Sequence, residues 1–323
     1  MANKKFSAGI TFVACLLAAV IGFAAGFFLW SYIKRPVGGD VYVSGDLKMH
    51  FMHLGNNYTG DSIYVQAGDT DILIDAGSRA DSTNTTAEYI NQYCKDGVLE
   101  YVIATHADQD HIAGFAGSKQ SPSIFERFEC ETIIDFALTN KDTQTYKKYV
   151  EKRDAEVAAG AKHYTALQCW KNEDGAQRVY QLSDGVEMEI LYNYYYENKH
   201  SDENNYSVCL MFNQGDKHFL FTGDLEKEGE EQLVKNNTLP KVELFKAGHH
   251  GSGTSSNDAL LSVIQPKIIC VCCCAGSVEY TQNLANTFPY QTTIDRFAKY
   301  TDQVYVTTYG NIEKGADGKY DDV

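Results

Sequence analysis

Basic residues are scarce. The 323-residue chain has 28 Lys and Arg against 43 Asp and Glu, a formal net charge of −15. The first 39 residues hold four basic residues and no acidic one, so taking their +4 from −15 leaves −19 on the rest. Such a domain lacks the basic surface that grips phosphate backbones, and any action on nucleic acid needs cations at the site to supply the attraction. Internal repeats of the 20–50-residue kind are also missing, which excludes solenoids and propellers. Outside one apolar run, no CxxC pairs or Cys/His spacings of the zinc-finger kind occur. What is present is 44% apolar residues, enough for a packed core and against wholesale disorder. The length fits two average domains or one large α/β domain.

Charge is absent altogether between Lys5 and Lys34. Phe6 to Ile33 is long enough to span a bilayer as a helix, which needs roughly 20 residues. Trp30 and Tyr32 fall where interfacial aromatics belong, and a polar stretch, Arg35 to Asp40, follows directly. A cleaved signal is the second reading, with Ala24-Ala25-Gly26 as its site. The expected organisation is an anchor (or uncleaved signal) over 1–36, a linker over 37–45 and one domain over 46–323. Lys4 and Lys5 before the helix balance Lys34 and Arg35 after it, so flanking charge does not orient it. The expectation is a single-pass protein of the cell membrane with its domain on the extracytoplasmic side. Cys270, Cys272, Cys273 and Cys274 crowd one apolar run and read as small hydrophobes in a buried strand, not as a disulfide framework.

Alternation predicts strands near 46–54, 62–67 and 72–74, a helix over 84–94, and a short strand, 100–104, running into His106. The stretch from 120 to 180 is less regular, with one polar helix near 143–159, and reads as a lid or insertion. Strands return at 186–192, 207–212, 218–222, 242–246, 268–274 and 303–308, with a helix at 227–234. This is an α/β pattern of mixed sheet and packed helices.

The chain holds nine histidines, and four fall in two tight clusters. His106-x-Asp108-x-Asp110-His111 follows an apolar strand, where α/β proteins build their sites. Four side chains able to bind a divalent ion occur there within six residues. A solvated polar loop is the bland alternative. The second cluster, Lys246-Ala247-Gly248-His249-His250-Gly251-Ser252, again ends a strand. Adjacent residues of an extended chain point apart, so one histidine is a ligand and the other meets substrate or supports a ligand from behind. Thr222-Gly223-Asp224 and Asp75-Ala76-Gly77 each end a strand in a carboxylate, and each alone is a common turn.

In this order the four elements resemble the metallo-β-lactamase superfamily, whose usual HxHxDH signature appears here with aspartate at its second position. With Asn204 to Val208, Phe219 to Asp224 and the Lys246 to Ser252 block, the chain looks like the hydrolase domain of ComEC-type DNA-uptake competence proteins. The opening, Leu47 to Ser62 with Phe51, Gly55, Gly60 and Asp61-Ser62, is similar too. The resemblance covers roughly 46–310 and implies an αββα sandwich, preceded here by one transmembrane helix. It implies two divalent metal ions, zinc or manganese, held by His106, Asp108, Asp110, His111, Asp224 and His249, with Asp224 bridging. Asp75 orients the first histidine loop. Asp110 and His250 are then the catalytic residues, and Asn205, Ser207, Lys246 and Ser252 the substrate contacts. The superfamily commonly supplies a further histidine before the bridging aspartate, where this chain has Asn204, Asn205 and Ser207, with His200 as a weak substitute. The expected activity is hydrolysis of a phosphodiester or nucleic acid by metal-activated water. A lactone, thioester or β-lactam hydrolase is the runner-up, and a membrane-anchored binding protein with a dead site lies outside the enzyme class. Tyr192, Tyr194, Tyr195 and Tyr196 are candidate base-stacking residues, or strand and rim residues.

Overall fold

The structure, a computed structural model, describes residues 47–283 and 286–309. The apolar stretch 6–33 and the linker lie outside the described residues, among which no helix is long and apolar enough to cross a membrane.

Alternating and apolar runs become two sheets. The first holds, in spatial order, β1 (Leu47–Phe51), β2 (Ile63–Ala67), β3 (Thr70–Ile74), β4 (Val98–Ile103), β5 (Glu129–Asp135) and β6 (Lys162–Thr165). The second runs β13 (Val304–Tyr309), β12 (Ile268–Ala275), β11 (Leu244–Lys246), β10 (Lys217–Phe221), β9 (Leu210–Gln214), β8 (Val186–Ile190), β7 (Val179–Ser183). Each begins as an antiparallel meander and turns parallel, at β3–β4 in one and β10–β11 in the other. Parallel strands are covered on both faces. Val102, Ile103, Ile133 and Ile134 are accordingly fully buried, as are Ile269 and Cys274.

The inner faces of the sheets pack together in one core that joins Ile63, Val65 and Leu73 to Met188, Leu210 and Phe212. The Phe51 and Phe221 rings stack across it at 6.1 Å. Outside the first sheet lie α1 (Ser82–Ile90), α2 (Gln109–Ala116) and α3 (Gln144–Ala159), contributing Ala87, Ile112, Phe115 and Tyr149. The short α4 (Ala166–Lys171) follows β6. Outside the second sheet, α5 (Lys227–Asn236), α6 (Asp258–Ile264) and α7 (Gln291–Phe297) bury Leu233, Leu260, Leu261, Ile264 and Phe297. Layers run helix, sheet, sheet, helix.

The stretch 120–180 is not a lid. It supplies β5, α3 and β6, and the Tyr149 hydroxyl donates to the buried Asp135 carboxylate at 2.9 Å. Arg153 and His163 reach the same carboxylate at 2.9 and 2.8 Å. The cysteines of β12 are free, and all but Cys270 are buried, as their apolar run requires.

One buried charge fixes the turn after the second histidine cluster. Glu230 of α5 accepts the Ser256 N–H, the Asn257 N–H at 2.8 Å and the Asn257 side-chain amide at 3.1 Å. Burial is the larger influence and pushes its carboxyl up to about 7, while those donors and Arg296 restrain the rise. A raised folded-state pKa means that the stabilising contribution is complete below about pH 4.5 and is lost as pH climbs through 7. The wild type is expected to lose about 3 kcal/mol across that window relative to Glu230→Gln, at 1.36 kcal/mol per pKa unit. Urea unfolding of both proteins at pH 4.5 and 8 measures it, and parallel profiles would rule it out.

Candidate metal centre

The site sits where the parallel strands of both sheets end. The turn after β3 carries Asp75, the turn after β4 carries Thr105 to His111, the turn after β10 carries Gly223-Asp224, and the turn after β11 carries His249-His250. Backbone bonds lock these turns together. The Val208 N–H donates to Thr105 O at 2.9 Å, and the Asp61 N–H to Asp110 O at 3.0 Å. Gly77 is required here, because a Cβ would overlap the Asp110 carbonyl.

Asp75 is fully buried and accepts three bonds: from the Thr105 N–H (2.8 Å), the Thr105 hydroxyl (2.7 Å) and His111 Nδ1 (2.7 Å). That contact assigns the Nδ1 proton of His111 and leaves Nε2 with its lone pair facing the cluster. His111 Nε2 and His250 Nε2 each lie 3.1 Å from Asp224 Oδ2, and His250 Nε2 lies 3.4 Å from Asp110 Oδ2. His106 Nε2 is 3.6 Å from Asp108 Oδ2. None of these contacts is aligned as a hydrogen bond. The buried Nε2 atoms of His106, His111 and His250 have no hydrogen-bond partner among the described residues. Buried polar atoms are ordinarily paired. Three unpaired imidazole nitrogens turned on carboxylates are the donor set of a divalent cation, and the residues fit one. Asp61, His111, Asp224 and His250 each offer a ligand atom within 4.8 Å of the others.

The electrostatics agree. Burial alone would lower the His111 and His250 imidazoles, but Asp224, with Asp75 and Asp61 at His111 and with Asp61 and Asp110 at His250, drives both well above the ordinary range. Burial likewise opposes ionisation of Asp224, and His111, His250 and Lys246 outweigh it. The pocket's field demands cations.

The two histidines exchange places relative to the expectation from sequence. His250 is fully buried in the cluster, its Nδ1 2.8 Å from Cys272 O. His249 lies at the mouth, its Nδ1 3.2 Å from Glu226 Oε1. The reason is the turn: both residues adopt left-handed φ, 46° and 52°, so the alternation of an extended chain does not apply. Three of the four expected substrate contacts are engaged within the fold instead and do not border the cleft. Lys246 Nζ is held by Asp61, by Asp224 Oδ1 (3.3 Å) and by Gly223 O (3.0 Å). Ser207 Oγ accepts the Asp224 N–H at 3.0 Å. Asn205 Oδ1 accepts the Glu226 N–H at 3.3 Å, and Asn205 Nδ2 meets His200 Nδ1 at 3.1 Å. His200 pairs with Glu228 at 2.9 Å. Ser252 alone of the four lines the cleft.

The cleft over the centre has a volume of about 630 Å³ and is bordered by Arg79, Asp108, Asp110, Asp224, His249 and Tyr280, among others. Lys141 reaches Asp108 from beside it.

Residues 55–124 match the Metallo-beta-lactamase superfamily. Over that segment the chain is similar to the metallo-β-lactamase superfamily. It is 28% identical over 174 residues to "ComE operon protein 3" of Bacillus subtilis, covering 52% of this chain and 19% of that protein. It is also 28% identical over 211 residues to "Competence protein ComA" of Neisseria gonorrhoeae, covering 64% and 25%. The chain thus spans about a fifth to a quarter of the length of these relatives. Among solved structures, the metallo-beta-lactamase fold protein YhfI from Bacillus subtilis aligns over 82% of this chain and 98% of its own, at 12% identity and a TM-score of 0.46. The chain is similar to competence proteins in sequence, and its donor set is that of a metal-dependent hydrolase of this superfamily.

Two residues of the centre were not legible as such in the sequence. Asp61, 2% exposed at its side chain, sits between Lys246 and His250 Nδ1 (3.1 Å). Its sequence signals are a Gly-Asp turn before a strand and its place in the opening segment of the resemblance, and neither gave it a role in the centre. Glu203 is buried and accepts the Ala107 N–H (3.2 Å), the Thr139 hydroxyl (2.7 Å) and the Asn140 N–H (2.7 Å). It ties the first histidine loop to the loop that delivers Lys141.

Proposed function

We propose that this protein is a phosphodiesterase acting on nucleic acid, with two divalent ions, zinc or manganese. The observation that carries the reading is the set of unpaired buried Nε2 atoms on His106, His111 and His250, turned on Asp108, Asp110 and Asp224 at the floor of an open cleft. In this reading His106, Asp108, Asp110, His111, Asp224 and His250 would hold the ions. Such ions, when bound, supply a lowered pKa for water and charge compensation for phosphate oxygens.

The chain's own residues do the remainder. Asp75 holds His111 in one tautomer. Lys246 and Asp61 fix Asp224 and His250 from behind. His249, with Nδ1 engaged by Glu226, is placed to give a proton to a leaving oxygen at the mouth. Asp108, where the superfamily usually has histidine, adds negative charge and favours harder ions, and Lys141 offsets it. Arg79 and Lys141 give an anionic substrate local cations on an otherwise acidic domain. A neutral lactam needs none of this charge.

Elemental analysis is expected to find about two divalent ions per chain, and a substrate panel to find manganese-stimulated phosphodiester cleavage with little β-lactam opening. Absence of any stoichiometric divalent metal would end the two-ion reading. Efficient lactone or β-lactam hydrolysis with no phosphodiester cleavage would promote the alternative.

A further inference from the structure

The mouth of the cleft carries rings that the hydrolytic chemistry does not use. Phe288 is at their centre, with Tyr290 stacked at 5.6 Å and 29° and Tyr280 edge-on at 5.5 Å and 69°. His249 and His250 approach Phe288 at 5.8 and 5.6 Å. Tyr280 is 57% exposed, yet its hydroxyl lies 3.4 Å from Asp110 Oδ2. An aromatic face thus stands in water at the edge of the metal centre.

The residues just before Tyr280 are fastened down. Glu279 pairs with Arg79 at 2.7 Å and accepts the Thr59 N–H at 2.8 Å, and the Ser277 hydroxyl donates to Asn57 O at 3.1 Å. Holding a large exposed ring in one orientation costs conformational freedom without burying the ring. The arrangement suits a ligand with a flat face. Stacking on aromatic side chains is how proteins hold unpaired bases with little regard to sequence.

The tyrosines singled out in the sequence do not serve here. Tyr195 and Tyr196 are buried, Tyr192 packs on Trp170 at 5.3 Å, and none of the four borders the cleft. The cleft is bordered instead by Tyr280, Phe288 and Tyr290, together with Arg79, Asp108 and Asp110. A volume of about 630 Å³ is within the range of small-ligand sites.

We propose that Tyr280, Phe288 and Tyr290 form a stacking wall for an unpaired base adjoining the scissile phosphate, which directs the site to single-stranded nucleic acid over base-free phosphodiesters. This rests on the phosphodiesterase reading of the same centre. A base within a duplex has both faces covered and does not reach the wall.

The test is fluorescence quenching of 2-aminopurine in a short single-stranded phosphorothioate oligonucleotide, which resists hydrolysis, titrated with the full-length protein in detergent. Wild type and Tyr280→Phe, which keeps the ring, are expected to quench. Tyr280→Leu and Phe288→Leu are expected to bind roughly tenfold more weakly, the size of one lost stack. An oligonucleotide with an abasic site at that position is expected to bind more weakly and to be insensitive to Tyr280→Leu. Equal affinity for the abasic strand, or undiminished quenching by Tyr280→Leu, overturns the wall. Cleavage of an unmodified strand by the metal-loaded protein is followed in parallel. Quenching without cleavage keeps the wall and rejects the phosphodiesterase, and cleavage without quenching does the reverse.

Discussion

Replacing His250 with asparagine is expected to remove about one metal ion per chain and to lower kcat/KM by roughly three orders of magnitude. That is the scale of several kcal/mol of transition-state stabilisation supplied by a bound cation, at 1.36 kcal/mol per tenfold. His249→Asn is expected to keep its metal and lose roughly 10²-fold in kcat, the lower end of what a positioned proton donor contributes. Asparagine is the right replacement at both positions. His249 and His250 have φ of 46° and 52°, a region that asparagine adopts readily and alanine at a cost of about 1–2 kcal/mol. Alanine variants would mix backbone strain with lost chemistry. Metal content read beside kinetics separates the two histidines. Loss of metal from His249→Asn with retention in His250→Asn would reverse their roles.

The ambiguity between these neighbours shows where sequence reading stops. A strand ending in His106-x-Asp108-x-Asp110-His111 was legible because chemistry and position coincide within six residues. The structure puts that loop at the end of β4, with Asp224 facing it from the end of β10. The histidine pair was not resolved, because its directions depend on two left-handed residues in a glycine-flanked turn. Lys246 read as a strand-end residue placed to contact substrate. Its pairing opposite Phe221 in the β10–β11 register, and the Asp61 loop arriving from the first sheet, bury it. Asp61 belongs to the centre through a tertiary bond, its N–H to Asp110 O, that no local pattern announces. The first sheet's later strands were hidden by charge. Exposed Glu129 and Glu131 alternate with buried residues in β5, which made a core strand resemble a polar insertion. The ring wall lies in a loop without periodicity, so nothing singled out Tyr280 or Phe288.

The buried ionic network behind the centre explains why so acidic a pocket keeps one arrangement. Asp61, Asp75 and Asp224 are all but fully buried, and isolated carboxylates in such surroundings are costly. Each is matched within the fold: Asp61 and Asp224 by Lys246, Asp75 by Thr105 and His111. Lys246 therefore supplies a fixed positive charge that persists whatever occupies the cleft. Removing one partner from such a pair leaves the other charge uncompensated.

Asp75→Asn tests that outer layer without disturbing the backbone. Asp75 itself has φ of 56°, a conformation in which asparagine is as acceptable as aspartate, so the turn after β3 is expected to persist. What changes is hydrogen bonding. The carboxylate accepts from the Thr105 N–H, the Thr105 hydroxyl and His111 Nδ1. An amide offers one acceptor oxygen and presents an NH2 to the remaining donors. If the oxygen stays with Thr105, the NH2 faces His111 Nδ1, favours the tautomer with the proton on Nε2 and removes the lone pair that faces Asp224. Metal affinity is expected to fall 10- to 100-fold, the usual effect of losing a partner behind a ligating histidine. Saturating metal is then expected to restore most of the lost activity, because the ligand atoms are all still present. Competition with a chelator of known affinity measures the first effect, and a metal titration of activity the second. A variant with unchanged affinity and irreversibly lost turnover would show that Asp75 acts on the reacting groups and not through His111.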